Sequence, residues 1–183
     1  HVVMEVSSQA YKTKRVFGLT FDLGIFLNIS PDHISPIEHE TFEEYFLCKQ
    51  ELLLHSKKMV MNHESDHFEV LENLCQINHI PYLTYGGSPA DYPVIAMDDP
   101  RTFELKSSTD PLAINGDYAL TMFGHFNHEN AAAALLATAW LETPRNHMKE
   151  SLSKCVIPGR MTLFDLPNGA LAFVDFAHNY LSL

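Results

Sequence analysis

The chain has 183 residues, of which 46% are hydrophobic and 19% are charged, a composition typical of a folded protein rather than a disordered one. The formal net charge of −11 excludes non-specific binding to DNA or RNA, because such binding requires clustered Lys and Arg. No apolar run reaches the roughly 18 residues that a membrane-spanning helix needs. Three scattered cysteines without a CxxC pair fit a reducing compartment. We therefore expect a cytoplasmic protein that contacts neither nucleic acid nor membrane.

Strand and helix patterns alternate through the first half of the chain. Thr41 is the expected N-cap of the first predicted helix, and Asp66 is the expected N-cap of the second. The predicted strands cover residues 2–7, 21–29, 59–62 and 80–85, and the predicted helices cover residues 42–55 and 66–78. This alternation predicts an α/β fold with right-handed βαβ crossovers and a mostly parallel sheet flanked by helices.

The second half has a looser pattern. Residues 86–100 contain two adjacent glycines and three prolines, which favour loop structure. Beyond them we expect antiparallel strands over 103–107 and 118–122, helices over 129–140 and 143–155, and a hairpin of strands 161–166 and 170–176 around a Pro-Asn-Gly turn. Pro158-Gly159 breaks the pattern and predicts a domain boundary, with residues 1–157 in one domain and 158–183 at the start of another.

Two side chains suggest a metal site. Glu5 and His33 each follow a predicted strand, and the carboxyl ends of parallel strands face one crevice, where ligands bind. A carboxylate and an imidazole placed there can hold a divalent cation. Taken singly, each residue also has an ordinary structural explanation: Glu5 as a cap or ion-pair partner, His33 as a turn residue, and Lys49 as a solvated residue on a helix.

Several motifs in a fixed order resemble the Mur ligase family. They are Glu5-Val6-Ser7-Ser8, Arg15, Asn28-Ile29-Ser30-Pro31-Asp32-His33, Lys49, "GHFNHENAAAALLATAW", "PGRM" and "VDFAHN". The resemblance is specific over residues 1–57 and 124–179 and general over 58–123. Within the family, the pattern is most similar to the enzymes that add the third amino acid to the peptidoglycan stem peptide, and it favours those that add L-lysine.

The resemblance implies the central ATPase domain of such a ligase, a P-loop-type, Rossmann-like fold. In the family, a Gly-rich loop ending in Gly-Lys-Thr binds the ATP phosphates upstream of this region, and this sequence has no GxxxxGK[ST]. We therefore expect a partial central domain and the first strands of the C-terminal domain. The partners would include the remaining N- and C-terminal parts of the same enzyme. We expect the 183-residue chain alone to lack ligase activity.

The resemblance also implies an activity and its ligands. ATP would activate a carboxylate of UDP-N-acetylmuramoyl-dipeptide as an acyl phosphate, which the amine of L-lysine or meso-diaminopimelate then attacks. Mg²⁺ would be held by Glu5, His33 and Lys49, with Lys49 carrying a CO₂-derived carbamate. These three residues are also the expected catalytic residues.

Further positions match the family's ligand contacts. Ser7, Gln9 and Arg15 match positions that contact the UDP-muramoyl-peptide, although Gln9 stands where a His is frequent. The matches to positions around ATP are Asn127, Asn130, Arg160, Asp175 and His178. Asn127 also has a structural alternative, as the N-cap of the helix that follows.

Three other functions remain open from the residues. A zinc hydrolase could use His125, His128 and Glu129, or Asp32, His33 and His39, although neither set has the HExxH spacing. A related amide ligase, of the folylpolyglutamate synthetase type or another Mur type, would share the Asp-His and Lys features. A non-catalytic binding domain would keep the fold without the activity.

Overall fold

A computed structural model describes residues 1–31 and 34–176. The chain divides into two compact units, His1–Ala90 and Asp91–Leu183. No helix among the described residues is long and apolar enough to cross a bilayer. The domain boundary predicted between residues 157 and 158 stays a prediction.

The first unit contains a three-stranded parallel sheet with helices between its strands. Strands β1 (Gly24–Phe26), β2 (Met59–Asn62) and β3 (Tyr82–Gly86) pair in that order, with Ile25 opposite Val60 and Val60 opposite Leu83. A short helix, α1 (Ser8–Lys12), precedes β1, and helices α2 (Phe42–Leu54) and α3 (Phe68–Ile77) connect the strands. The parallel β-α-β-α-β order confirms the predicted α/β class.

The core of this unit forms between the sheet and the two longer helices. Strand β2 is buried on both faces, as expected for the central strand of a parallel sheet. The buried core residues are Phe26, Ile29, Tyr45, Phe46, Leu53, Met59, Met61, Phe68, Leu71 and Cys75. Helix α2 begins where the sequence predicts, because the Thr41 side chain accepts a hydrogen bond from the Glu44 amide at 3.1 Å.

Two predictions for this unit are wrong. Residues 2–7 form no strand: Val2 and Val3 are 87% and 98% exposed, and an isolated apolar run has no neighbouring strand to supply its hydrogen bonds. The N-cap of α3 is His67 rather than Asp66. His67 has a positive φ of 59° and places its ring 5.3 Å from that of Phe42, so aromatic packing rather than a carboxylate cap defines this helix start.

The second unit is built on an antiparallel meander of β4 (Tyr92–Ala96), β5 (Thr102–Leu105) and β6 (Gly116–Ala119). Helix α4 (His125–Trp140) packs on β4 and β5, and α5 (Arg145–Lys154) packs on β6 and α4. A separate hairpin of β7 (Thr162–Asp165) and β8 (Leu171–Val174) follows, as predicted. The sequence does not reveal β4, because the three prolines of residues 86–100 indicate a loop. Pro93, the one proline within β4, is tolerated there because its carbonyl still accepts a bond from the Lys106 amide.

Helix α4 begins four residues earlier than predicted, at His125. Its N-cap is Gly124, whose φ of 101° lies in a region that favours glycine; a Cβ there would come within 2.7 Å of the Phe126 ring. Asn127 lies inside the first turn, so its alternative role as the N-cap is wrong. Residues 125–128 have modest helix propensity, but burial of Asn127 and His128 outweighs it.

Candidate functional site

The segment from Glu5 to Gln9 leads directly into α1. Ser7 has an extended backbone, and its hydroxyl accepts a hydrogen bond from the Ala10 amide at 3.2 Å, so it caps the helix. Glu5 and Ser7 are exposed, whereas Gln9 is half-buried. Glu5 does not follow a strand, which corrects the predicted position, but its carboxylate remains accessible to a ligand.

Lys49 lies on α2 and is half-buried rather than solvated. Its ammonium nitrogen is 5.7 Å from the centroid of the Tyr45 ring, one turn earlier, within the range of a cation–π contact. Burial lowers the pKa of Lys49, while the negative charge of Glu5 acts in the opposite direction. The structure therefore brings Glu5 and Lys49 within electrostatic range of each other.

The third predicted metal ligand, His33, lies outside the described residues, as does Asp32. Within residues 1–31 and 34–176, no three His, Cys, Asp or Glu side chains converge as a metal-binding group. Of the residues considered for zinc, His125 lies 3.4 Å from Glu129, but His128 is buried and its Nε2 is 3.0 Å from the Pro100 carbonyl oxygen. Burial lowers the pKa of His128, which keeps this imidazole neutral.

Helices α1 and α2 are joined by side chains that sequence reasoning missed. The Lys12 ammonium lies 2.8 Å from the Glu44 carboxylate and also donates to the Glu38 carbonyl at 2.7 Å. The Lys12 ammonium and the Glu40 amide both lower the pKa of Glu44 by bonding its carboxylate. Buried Ser8 and His39 form a further contact at 2.9 Å. No local pattern indicates pairs separated by about 30 residues.

A cleft of about 390 Å³ lies beside this junction. Its lining includes Tyr11, Lys14, Phe17, Leu47 and Cys48. The Tyr11 hydroxyl is buried and has no hydrogen-bond partner among the described residues. None of the predicted substrate-contacting residues lines the cleft; Arg15 is exposed on the segment that follows α1.

The candidate ATP contacts lie in the second unit. Asn127 is buried, and its side-chain amide donates to the Phe123 carbonyl at 2.6 Å. Asn130 is exposed and lies three residues further along α4, on nearly the same face. Asn127 thus already has a structural bond, whereas Asn130 is accessible.

The hairpin brings together the remaining described candidates. The Asp175 carboxylate accepts a hydrogen bond from the Met161 amide at 2.9 Å, and the Arg160 guanidinium lies 5.5 Å from the centroid of the Phe176 ring. The ring of Phe123, just before α4, contacts that of Phe173 in β8 at 5.6 Å. Arg160 and Asp175 are therefore neighbours, and His178 lies outside the described residues.

Comparison with known proteins identifies the relatives of this chain. Residues 1–138 match the family model of the Mur ligase middle domain. The whole chain is 46% identical to a UDP-N-acetylmuramoyl-L-alanyl-D-glutamate–L-lysine ligase of Enterococcus faecalis and 45% identical to a UDP-N-acetylmuramyl-tripeptide synthetase of Lactococcus lactis subsp. cremoris. It spans 37% and 36% of the lengths of these two proteins.

A solved structure has the same fold over nearly the whole chain. The structure of a UDP-N-acetylmuramoyl-L-alanyl-D-glutamate–2,6-diaminopimelate ligase superposes with a TM-score of 0.78 at 27% identity. The superposition covers 97% of this chain and 37% of that protein. The sequence relatives match the whole chain, and this structure matches nearly all of it.

Proposed function

We propose a function for this chain, which belongs to the Mur ligase family. It supplies the middle-domain part of an ATP-dependent ligase that adds L-lysine to UDP-N-acetylmuramoyl-L-Ala-D-Glu. The observation that carries the proposal is the 46% identity to an L-lysine ligase over the whole chain. The identity to the diaminopimelate ligase of known structure is 27%, which supports lysine as the added amino acid.

The proposed reaction has two steps. The γ-phosphoryl group of ATP passes to the substrate carboxylate as its bond to the β-phosphate oxygen breaks, giving an acyl phosphate and ADP. The amine of L-lysine then attacks the acyl carbon, phosphate leaves and an amide forms. Both steps depend mainly on positioning and on neutralising phosphate charge. Ser7, Gln9 and Arg15 are the proposed muramoyl-peptide contacts, and the planar guanidinium of Arg15 suits a carboxylate or a phosphate.

Mur ligases in general use ATP and Mg²⁺, and the residues of the first unit suit that metal. Mg²⁺ takes oxygen ligands, often carboxylates, and Glu5 presents an exposed carboxylate within electrostatic range of Lys49. We assign Glu5, His33 and Lys49 as the residues that would hold it. The cation would supply charge neutralisation for the phosphate oxygens.

Lys49 would bind the metal as a carbamate. Its neutral amine forms an N–C bond to CO₂, and the proton released from nitrogen goes to water, so a cation becomes an anion. The lowered pKa of Lys49 raises the neutral fraction that this step needs. Incubation with ¹³C-bicarbonate should give one carbamate carbon resonance that is absent in Lys49→Arg and retained in Lys57→Arg, an exposed control. A spectrum unchanged by Lys49→Arg would refute the assignment.

The ATP contacts are proposed in the second unit. Exposed Asn130 and Arg160 have side chains available to the nucleotide, while Asn127 and Asp175 would act from positions that their backbone hydrogen bonds fix. His178 completes the proposed set. The partners of this chain would be the other segments of the same ligase, including its phosphate-binding loop.

The proposed substrate is tested by calorimetry on the 183-residue chain. UDP-N-acetylmuramoyl-L-Ala-D-Glu should bind saturably, and a folate carrying glutamate should not. Binding of the folate alone would instead support a folylpolyglutamate-type ligase. Binding of neither ligand would contradict a muramoyl-peptide site in this chain.

A further inference from the structure

The side chain of His39 lies at a junction of three segments that carry or flank the proposed site. It is completely buried, and its Nε2 is 2.9 Å from the hydroxyl of Ser8, the residue after Ser7. Its ring lies 5.4 Å from that of Tyr45, the ring that Lys49 covers. Its carbonyl accepts a bond from the Ser35 amide at 2.9 Å, which closes the loop that follows His33 in sequence.

The electrostatics around this ring favour one tautomer. The Nδ1 atom has no hydrogen-bond partner among the described residues, and the Glu44 carboxylate lies 3.9 Å away. That negative charge favours the hydrogen on Nδ1, so Nε2 accepts a hydrogen bond from the Ser8 hydroxyl.

The order Ser8, His39, Glu44 resembles the arrangement of a serine hydrolase, but the geometry does not support that chemistry. Ser8 is only 4% exposed, so a substrate carbonyl cannot approach its hydroxyl. The carboxylate is also too far from Nδ1 for a hydrogen bond. The contact of Ser8 with His39 therefore fixes position.

We propose that His39 is a positioning residue for the muramoyl-peptide site. Through Ser8 it positions the segment that contains Glu5 and Ser7. Through Tyr45 it positions the ring against which the Lys49 side chain lies. Loss of the imidazole removes the buried link between the start of α1 and the segment before α2, while the Lys12–Glu44 ion pair still joins the two helices. The start of α1 then shifts relative to the part of α2 that carries Lys49. The assignment of a site to this segment rests on the proposed function.

The first test measures affinity for UDP-N-acetylmuramoyl-L-Ala-D-Glu by calorimetry on the 183-residue chain, under conditions in which each variant is folded. His39→Ala should weaken binding about tenfold, because both linked segments lose their anchor. His39→Gln should restore affinity to within about threefold, since its amide can reach the position of Nε2. As a single substitution, Ser8→Ala should weaken binding. Added to His39→Ala, it should weaken binding little further, because the two residues act as a unit.

Two controls separate positioning from general stability. Leu71→Ala removes a fully buried side chain of α3 and lowers the unfolding stability, but it should leave the affinity of the folded chain unchanged. His147→Gln changes an exposed histidine and should have no effect on affinity. Equal loss of affinity in His39→Ala and Leu71→Ala, or no rescue by His39→Gln, would overturn the proposal. Reaction of Ser8 with a fluorophosphonate would also overturn it.

The second test needs no ligand. Hydrogen exchange of the Ala10 and Arg15 amides, which are bonded to the Ser7 and Ala10 carbonyls at 3.0 and 2.8 Å, reports whether α1 is held. His39→Ala should speed their exchange about tenfold while the amides of β2 stay protected, and His39→Gln should not. Unchanged exchange in His39→Ala would overturn the positioning role even if the dipeptide binds. The unmodified chain could bind no UDP-muramoyl-dipeptide while His39→Ala still speeds exchange of the Ala10 and Arg15 amides. In that case the proposed function fails, and the role of His39 in holding α1 stands.

Discussion

The two units of this chain carry their candidate functional residues in different ways. In the first unit, Glu5 and Arg15 are exposed, and Lys49 sits half-buried where it senses the charge of Glu5. In the second unit, Asn130 and Arg160 are exposed, but Asn127 and Asp175 already have hydrogen bonds to the backbone. Substitution of an exposed candidate should therefore mainly weaken ligand binding. Substitution of a candidate that is hydrogen-bonded to the backbone should mainly lower the stability of the fold.

The largest effect should come from Arg15→Ala. Its guanidinium is the proposed partner of a carboxylate or phosphate of the muramoyl-dipeptide, and charge-assisted hydrogen bonds contribute about 1.5–3 kcal/mol, so affinity should fall about 10- to 100-fold. The unfolding stability should change by less than about 0.5 kcal/mol, because the side chain is exposed. Calorimetry and urea unfolding measure the two quantities. Lys57→Ala is the charge-matched control, and an equal loss of affinity in that variant would remove Arg15 from the site.

Asn127→Ala should show the opposite behaviour. It removes the side chain of buried Asn127 and leaves the part-buried Phe123 carbonyl without its 2.6 Å donor, so the free energy of unfolding should fall by about 1–3 kcal/mol. Asn130→Ala, three residues away and exposed, should change it by less than about 0.5 kcal/mol. Equal stability losses in urea unfolding would contradict the contrast between a fixed and an accessible asparagine.

A smaller, stabilising effect is expected from Tyr11→Phe in the first unit. The Tyr11 hydroxyl is buried without a partner among the described residues, so its removal should raise the free energy of unfolding by about 1 kcal/mol. Tyr118→Phe in the second unit should lower it, because the Tyr118 hydroxyl donates to the Ile114 carbonyl at 2.6 Å. Thermal unfolding of both variants checks the signs, and destabilisation by Tyr11→Phe would reveal a missed bond.

Tyr11 should also make the folding stability of the chain depend on pH in the alkaline range. Burial, reinforced by the charge of Glu51, raises the pKa of Tyr11 to about 12. The unfolded chain releases this proton near pH 10, so between about pH 10 and 12 it binds fewer protons than the folded chain, and stability is lost as pH rises. Tyr11→Phe should flatten that part of the stability profile. An unchanged alkaline slope would show that Tyr11 titrates normally in the folded chain.

Much of the fold was predictable because its local signals are strong. The short apolar runs of β2 and β3, the Thr41 cap of α2 and the hairpin turn between β7 and β8 all agree with the structure. The strand over residues 2–7 was wrong because hydrophobicity alone does not supply a hydrogen-bonding neighbour. Strand β4 was missed because Pro93 and the prolines on either side of the strand favour a loop, whereas pairing with β5 stabilises the strand.

Candidate site residues could be proposed from the sequence only where they follow a motif, and their roles stay predictions. Glu5, Ser7, Arg15 and Lys49 could be selected from sequence because the family pattern spaces them along the chain. The contacts of His39, Glu44 and Lys12 could not be predicted, because they join residues 26 to 32 positions apart. Such contacts depend on how α1 packs on α2, which no local pattern encodes.

The most direct test of the account is a map of ligand contacts by ¹H–¹⁵N NMR. UDP-N-acetylmuramoyl-L-Ala-D-Glu titrated into the labelled 183-residue chain should shift the amide signals of Ser7, Gln9 and Arg15, with the signals of β7 and β8 unchanged. Shifts that cluster in the β7–β8 hairpin, or no saturable shifts, would contradict the assignment of the muramoyl-peptide site to the first unit.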